Sequence, residues 1–354
     1  MITHLYVTRA EANIALSLLY FNNKGETKMK IVNSSHEIWE RPGKNENDIL
    51  RFIERVGRVC YKSEDRISKG SAEKFVSKLM VRKHDPVLEH GSLMFRTGLD
   101  ILAAIKKEVA YLEHYCGFKS FLRFTDNIHE GYGIVSGNIR AWRDFISVNV
   151  AWTGVIPAHM YSVIYDYPRL FPEYHTGVLK DTVDMFRCLE SITVDDLQTV
   201  TEHLVHHDIT MKFICDRGVT HEVVRHRPAS FAQESTRYCN YSGDKFGNEI
   251  TVVMPSWCEA DTEVYNEWKA SCENAETRYI WMTQQMGCTP QEARSVLPSS
   301  TKAELVMTAA IGEWGHFFKL RTASGAHPDM RALAIPALTT VKNADNIGKF
   351  FIDI

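Results

Sequence analysis

The chain has 354 residues, of which 44% are hydrophobic and 24% are charged. This composition is typical of a folded globular protein and excludes a disordered chain, a collagen and a disulfide miniprotein. Lys and Arg number 41 against 44 Asp and Glu, a net charge of -3, so no bulk positive field attracts nucleic acid or an anionic membrane. The length favours two domains, or one domain with a large insertion.

Cysteine usage and apolar runs predict a cytoplasmic protein. The eight cysteines are scattered and form no C-x-x-C pair, which is typical of a reducing compartment. Residues 12–21 are apolar, but no small-residue cleavage site follows them. The uncharged run 145–165 approaches the length of a membrane span, yet it contains Asn149, Gly154 and Pro157. These residues favour a buried segment of a globular domain over a membrane helix.

The first third of the chain predicts helices followed by a strand. Met29 begins a stretch typical of a protein start, so we interpret residues 1–28 as an N-terminal extension. Apolar residues recur at helical spacing over 48–61, and a second amphipathic helix begins at Ser71. His90 then precedes an apolar segment that is typical of a strand.

Residues 97–207 differ in character from the rest of the chain. They hold much of the aromatic content and several Gly- and Pro-punctuated loops, so we interpret them as an inserted subdomain. A helix is expected near their end and carries His203, His206 and His207 in its last turn. Histidines at a helix C-terminus are expected in solvent rather than on a metal.

The last third predicts one alternating strand and then mainly helices. Residues 209–215 alternate between apolar and polar side chains, as a half-buried strand does. The further expected elements are a short helix over 220–226, a strand over 249–254, a long helix over 259–286, a helix opened by Pro290, and helices over 300–320 and 327–342. No internal repeat is visible. We therefore predict an α+β fold in which an antiparallel sheet is flanked by helices.

Residues 220–238 form the densest group of reactive side chains, with three arginines, two histidines and two acids. A zinc motif of the H-E-x-x-H type fails here because His226 follows His221 by five residues and Arg225 stands at the ligand position. We expect no metal site. Guanidinium groups beside small residues in a loop suit phosphate oxygens, so the expected ligand is a nucleotide.

The spacing Arg225-His226-Arg227, seven residues, Ser235 resembles the signature of the flavin-dependent thymidylate synthases. Three further segments resemble that family in the same order, and they contain His90, Arg294 and Arg321. The resemblance covers 29–96 and 208–345, which we predict to be the catalytic domain, while 97–207 is the insertion.

The resemblance implies methylation of dUMP with methylenetetrahydrofolate as carbon donor and FAD as a hydride carrier reduced by NADPH. It implies flavin-binding roles for His90, Arg225, His226, Arg227 and His316. It implies dUMP-binding roles for Glu222, Gln233, Glu234, Ser235, Arg237, Arg294 and Arg321. Arg321 and Ser235 are the implied catalytic residues, Arg321 by stabilising negative charge on the pyrimidine and Ser235 as a dUMP ligand rather than a nucleophile. The family implies a homotetramer, with no membrane or nucleic-acid partner.

Two alternatives stay open at this point. A related flavin- and folate-dependent enzyme would leave a hydroxymethyl group on the pyrimidine, and a non-catalytic protein would bind a nucleotide or RNA without turnover. Glu222 and Gln233 depart from the family pattern, which often has Gln and Glu at these places. Cys239 lies close to the signature, but we expect a small buried residue there and not a nucleophile.

Overall fold

The computed structural model describes residues 28–354, and they divide into two compact units. The smaller unit comprises residues 28–34, 216–218 and 235–302, and the larger comprises 35–215, 219–234 and 303–354. The predicted extension at 1–28 lies outside the described residues apart from Lys28. The predicted insertion at 97–207 stays a prediction.

The secondary structure follows the chain as bounded here. The strands are β1 (Lys30–Val32), β2 (Ser35–Trp39), β3 (Ser92–Gly98), β4 (Arg123–Asn127), β5 (Tyr132–Asn138), β6 (Glu190–Ser191), β7 (Asp208–Asp216), β8 (Ser230–Gln233), β9 (Thr251–Val253) and β10 (Lys302–Ala310). The α-helices are α1 (Glu46–Tyr61), α2 (Ser71–Val81), α3 (Leu99–Cys116), α4 (Ile139–Thr153), α5 (Tyr161–Asp166), α6 (Pro172–His175), α7 (Lys180–Phe186), α8 (Val200–His206), α9 (Arg217–Val223), α10 (Glu263–Gln284), α11 (Pro290–Ala293), α12 (Ile311–Arg321) and α13 (Pro328–Lys342). Within the part of the chain that is described, none of these helices has the length and apolar character needed to cross a membrane.

The smaller unit is built on the long helix α10 and a two-stranded parallel sheet of β1 and β9. Thr262 caps α10 by accepting a hydrogen bond from the Tyr265 backbone N–H. The buried carboxylate of Glu276 accepts one from the Ile250 N–H at 2.9 Å, which fixes the helix to the chain just before β9.

The larger unit contains two four-stranded sheets. One has the strand order β4-β5-β3-β6, and every neighbouring pair in it is antiparallel. The other has the order β2-β7-β10-β8, in which the outer pairs are antiparallel. Helices accompany both sheets, so the predicted α+β class with antiparallel strands flanked by helices is confirmed.

One predicted helix was wrong in its first half. Residues 302–310 form β10, and the helix begins only at Ile311. All but the first residue of β10 are buried. A strand buried on both faces reads as a continuous apolar run, which periodicity does not separate from a buried helix.

The expectation that the histidines of α8 lie in solvent was also wrong for two of them. His206 is fully buried and His207 nearly so. The His206 Nδ1 atom lies 2.7 Å from Ser136 Oγ on β5, and its Nε2 atom lies 2.9 Å from Thr125 Oγ1 on β4. Burial lowers the pKa of His206 to about 3. Two hydroxyl partners therefore hold a neutral imidazole in the core.

Candidate functional site

The Arg-His-Arg segment lies in the connection between β7 and β8, directly after α9. Its backbone closes the helix with two turns, from the Arg225 N–H to the Glu222 carbonyl at 3.3 Å and from the His226 N–H to the Val223 carbonyl at 3.0 Å. Arg225 and Arg227 are exposed, whereas His226 between them is buried. This segment, Arg225-His226-Arg227, is called the Arg-His-Arg corner. Its two arginines are exposed to solvent, and its buried imidazole anchors it.

The buried imidazole of His226 packs against α12. Its ring centroid lies 5.3 Å from that of His316 and 5.5 Å from that of Phe317, and its Nε2 atom is 3.8 Å from Glu313 Oε2. Burial and the neighbouring His316 lower the pKa of His226. Burial also raises the pKa of Glu313. The structure thus brings the predicted residues His226 and His316 together and adds Glu313, which the sequence did not single out.

Arg321, at the end of α12, is held by Glu222 on α9. Its Nη2 donates to the Glu222 carbonyl at 2.8 Å, and its Nη1 lies 3.3 Å from the Glu222 carboxylate. Charge-assisted contacts of this kind orient a guanidinium strongly. The Arg321 Nε atom is buried and has no hydrogen-bond partner within residues 28–354. Both residues were predicted to bind dUMP, and in this structure they bind each other.

His90 ends the short 3-10 turn Asp85–His90, immediately ahead of β3. Its Nδ1 atom lies 2.7 Å from Thr308 Oγ1 on β10, and that hydroxyl lies 2.7 Å from Thr210 Oγ1 on β7. Burial lowers the pKa of His90 to about 3, so the imidazole is neutral. Its Nε2 atom has no side-chain partner in the described residues. Sequence reasoning missed Thr308 because it lies inside an apolar strand.

Gln233 and Glu234 follow each other at the end of β8. The Gln233 side-chain amide donates to Thr220 Oγ1 at 3.0 Å. The Glu234 N–H donates to the Glu304 carbonyl at 2.8 Å, and Glu234 is buried. Gln233 is therefore the more accessible of the two.

The remaining predicted residues belong to the smaller unit. The Arg237 N–H donates to Ser235 Oγ at 3.3 Å, and the Arg294 Nη1 atom donates to Thr236 Oγ1 at 3.4 Å. Arg294 thus lies beside the Ser235 segment, although 58 residues separate it from Thr236. Thr236 is a further member of this group that sequence reasoning did not identify. Cys239 is buried, as expected.

The described residues contain no group of three His, Cys, Asp or Glu side chains suited to holding a metal ion. Each unit instead contains arginines and hydroxyl groups among the residues described above, and the larger unit adds buried histidines. These groups bind anions and donate hydrogen bonds.

Comparison with known families matches residues 179–345 to the family described as thymidylate synthase complementing protein. The resemblance to the flavin-dependent thymidylate synthases is confirmed. The chain is 34% identical to the flavin-dependent thymidylate synthase of Pyrococcus furiosus over 134 residues. This alignment covers 38% of this chain and 53% of that protein. Over 126 residues it is 32% identical to the flavin-dependent thymidylate synthase of Geobacter sulfurreducens, which is 36% of this chain and 52% of that protein. The chain therefore spans about half the length of these curated relatives.

Solved structures give weaker likenesses. The UMP/dUMP methylase PolB from Streptomyces cacaoi, bound with 5-Br UMP, has a TM-score of 0.39 and 13% identity, covering 92% of this chain and 96% of that chain. Thymidylate Synthase X from Helicobacter pylori with FAD and dUMP has a TM-score of 0.34 and 18% identity, covering 56% of this chain and 93% of that chain.

Proposed function

We propose that this protein is a flavin-dependent thymidylate synthase. In this proposal it methylates dUMP at carbon 5, with methylenetetrahydrofolate as carbon donor and NADPH as reductant of bound FAD. The observation that carries the proposal is the Arg-His-Arg corner between β7 and β8, which lies inside the region matched to the family. The curated relatives of that region are named as flavin-dependent thymidylate synthases.

The larger unit contains donors of the kind that FAD requires. FAD carries a pyrophosphate, and its reduced isoalloxazine is anionic, so it needs cations and hydrogen-bond donors. Arg225 and Arg227 are exposed cations, and His90 is a neutral imidazole whose Nε2 atom has no side-chain partner. When bound, FAD would supply the hydride for the reduction.

Both units contain residues with proposed roles in dUMP binding. In the larger unit, Arg321 is oriented by Glu222 so that a fixed positive charge can stabilise negative charge on the pyrimidine. In the smaller unit, Ser235, Arg237 and Arg294 offer a hydroxyl and two guanidinium groups for dUMP. The residues therefore bind and orient, and no cysteine nucleophile takes part.

The pairing of Glu222 with Arg321 gives the departure from the family pattern a physical role. A glutamine at this position would keep a hydrogen bond to the guanidinium but would remove the negative charge next to it. We therefore assign Glu222 to the positioning of Arg321 rather than to direct contact with the pyrimidine. Glu222→Gln should change the rate of turnover more than the affinity for FAD.

The test is mass spectrometry of the nucleotide after anaerobic incubation of the purified full chain with dUMP, methylenetetrahydrofolate, FAD and NADPH. A product that is heavier by one methyl group supports the proposal. A product that is heavier by a hydroxymethyl group identifies the related hydroxymethylating reaction instead. Unchanged dUMP with folded protein contradicts both reactions and favours a nucleotide- or RNA-binding protein.

A further inference from the structure

The two sheets of the larger unit are built in the same way. In each sheet the two central strands lead directly into helices. In one sheet β3 leads into α3 and β5 into α4, and in the other β7 leads into α9 and β10 into α12. Matching β3 with β7, β5 with β10, β4 with β8 and β6 with β2 makes the strand order identical in both. The same order of strands and helices therefore occurs twice along the chain, first in residues 35–189 and again in residues 190–342. Residues 235–302, which belong to the smaller unit, interrupt the second occurrence in the sequence.

The helices that follow β5 and β10 show the equivalence residue by residue. Trp142 and Trp314 each stand at the fourth position of their helix and are fully buried. The Trp142 indole donates to the Leu93 carbonyl at 3.4 Å, and the Trp314 indole donates to the Ile209 carbonyl at 2.9 Å. The first backbone N–H groups of the two helices make equivalent bonds as well, Ile139 to the Gly91 carbonyl at 2.8 Å and Ile311 to the His207 carbonyl at 2.9 Å.

Each of the two repeated segments, the first half (35–189) and the second half (190–342), contributes an edge strand to the sheet of the other. The edge strand β2 comes from the first half but pairs with β7 of the second, and β6 comes from the second half but pairs with β3 of the first. Each half also places one histidine against a hydroxyl group in the sheet of the other half. His90 of the first half lies 2.7 Å from Thr308 of the second, and His206 of the second half lies 2.7 Å from Ser136 of the first. Thr308 and Ser136 occupy equivalent positions, three residues before their helices begin.

We propose that the chain is a fused pair of copies of one unit, in which only the second copy keeps a flavin- and nucleotide-binding corner and the first copy serves it by supplying His90. This inference rests on the proposed function. It replaces the interpretation of residues 97–207 as an insertion, because those residues then contain most of the first copy.

The first copy has no Arg-His-Arg segment after its central strand. Counted from the starts of α3 and α9, the positions of Arg225, His226 and Arg227 are those of Lys107, Glu108 and Val109, which lie inside the longer helix α3, whereas the Arg-His-Arg segment follows the end of α9. Val109 is buried in the hydrophobic core, and the Glu108 carboxylate lies 3.5 Å from His159 Nε2. Two guanidinium groups are thus replaced by one lysine and one buried apolar side chain.

The second helix of the first copy has lost the corresponding groups too. Aligning α4 with α12 places Asp144 at the position of His316 and Asn149 at that of Arg321. Asn149 is buried and its amide donates to the Phe145 carbonyl at 3.0 Å within its own helix. Arg140 and Arg143 on the same helix are each paired with an acid, Arg140 with Glu89 and Arg143 with Glu173, so neither guanidinium group is offered to a phosphate or an anionic flavin.

The first experiment counts sites. Equilibrium dialysis of the purified full chain against FAD, and against dUMP in the presence of FAD, should give one bound molecule of each per chain. Two molecules of FAD per chain would overturn the inference and leave the proposed reaction intact. A chain that binds FAD at one site but yields no methylated nucleotide would instead overturn the proposed function alone, and a chain that binds neither ligand would overturn both.

The second experiment compares substitutions at two equivalent positions, Thr308 and Ser136, so that one variant serves as the control for the other. Thr308→Val removes the hydroxyl that orients His90, and Ser136→Val makes the same change at the matching place, where the partner is His206. We expect Thr308→Val to weaken FAD binding about 3- to 10-fold, the effect of one hydrogen bond, and Ser136→Val to leave it unchanged. Circular dichroism melts should show similar losses of stability for both variants. Equal effects of the two variants on FAD affinity would reduce His90 to a structural residue and overturn its proposed role.

Discussion

The two sheets of the larger unit have the same strand order and the same helices after their central strands, but they differ in the charged side chains near those helices. Trp142 and Trp314 make the same indole contact to a neighbouring strand, yet only one copy has an Arg-His-Arg segment, at 225–227, after its central strand. The frame depends on buried apolar residues and backbone hydrogen bonds, whereas the site depends on a few side chains at helix ends. A copy can therefore lose its chemistry and keep its fold.

The comparison also separates two kinds of buried histidine. His206 has hydroxyl partners at both ring nitrogens, while His90 has a side-chain partner at Nδ1 alone. The strand positions explain this difference, because Thr125 on β4 corresponds to Ala232 on β8, which has no hydroxyl. His206 is thus held by hydroxyl groups at both ring nitrogens in the sheet of the first copy, whereas His90 meets a hydroxyl group at one ring nitrogen in the sheet of the second copy.

The largest expected effect tests whether the two frames are equivalent. Trp142→Ala and Trp314→Ala should each lower the free energy of unfolding by about 3–5 kcal/mol, because each removes a fully buried indole and leaves a cavity. Guanidinium chloride unfolding of the full chain measures both. A large loss in one variant and a negligible loss in the other would break the structural equivalence of the copies.

The next effect tests whether the two corners differ. Arg225→Ala should weaken FAD binding about 10- to 100-fold, the size expected for one lost charge-assisted contact. Lys107→Ala, its matched control in the first copy, should bind FAD as the unaltered chain does. Fluorescence titration with FAD gives both affinities. Unchanged binding by Arg225→Ala would move the flavin site away from this corner.

A smaller effect concerns the pH dependence of stability. Burial lowers the pKa of His90 and of His206 from 6.5 to about 3, so between these values the unfolded chain binds more protons than the folded chain. Each histidine should therefore reduce stability by about 1.4 kcal/mol per pH unit as the pH falls below 6.5. Unfolding titrations of His90→Gln and His206→Gln should each show a shallower slope. A slope unchanged in either variant would contradict the burial of that imidazole.

The smallest expected effect is at Cys239. Cys239→Ala should retain the turnover of the unaltered chain, because this side chain is buried and the proposed reaction needs no thiol nucleophile. Rate measurements with dUMP and methylenetetrahydrofolate check this. Loss of turnover with an unaltered circular dichroism spectrum would restore a cysteine nucleophile.

The sequence predicted the elements whose pattern is local. The strand at 209–215 alternates visibly, the helix at Pro290 begins with a capping box, and the Arg225 to Ser235 spacing resembles the signature of the family whose model matches this region. Strand β10 was missed because eight of its nine residues are buried and its mainly apolar sequence shows no clear period.

The repeat was missed for a different physical reason. Its two helices α4 and α12 share an Ile, a Trp and a Phe at their first, fourth and seventh positions, and most of their other residues differ. The strands contribute through backbone pairing, which leaves little trace in side-chain identity. The burial of His206 was likewise set by Thr125 and Ser136, which are distant in sequence.

Hydrogen–deuterium exchange of the full chain with and without FAD and dUMP tests the central claim most directly. Because only the second copy keeps its cationic corner, ligands should slow exchange over 217–227 and 311–321. Exchange over the matching segments 99–109 and 139–149 should be unchanged. Equal protection of both sets would show that the first copy also binds ligand and would contradict the account.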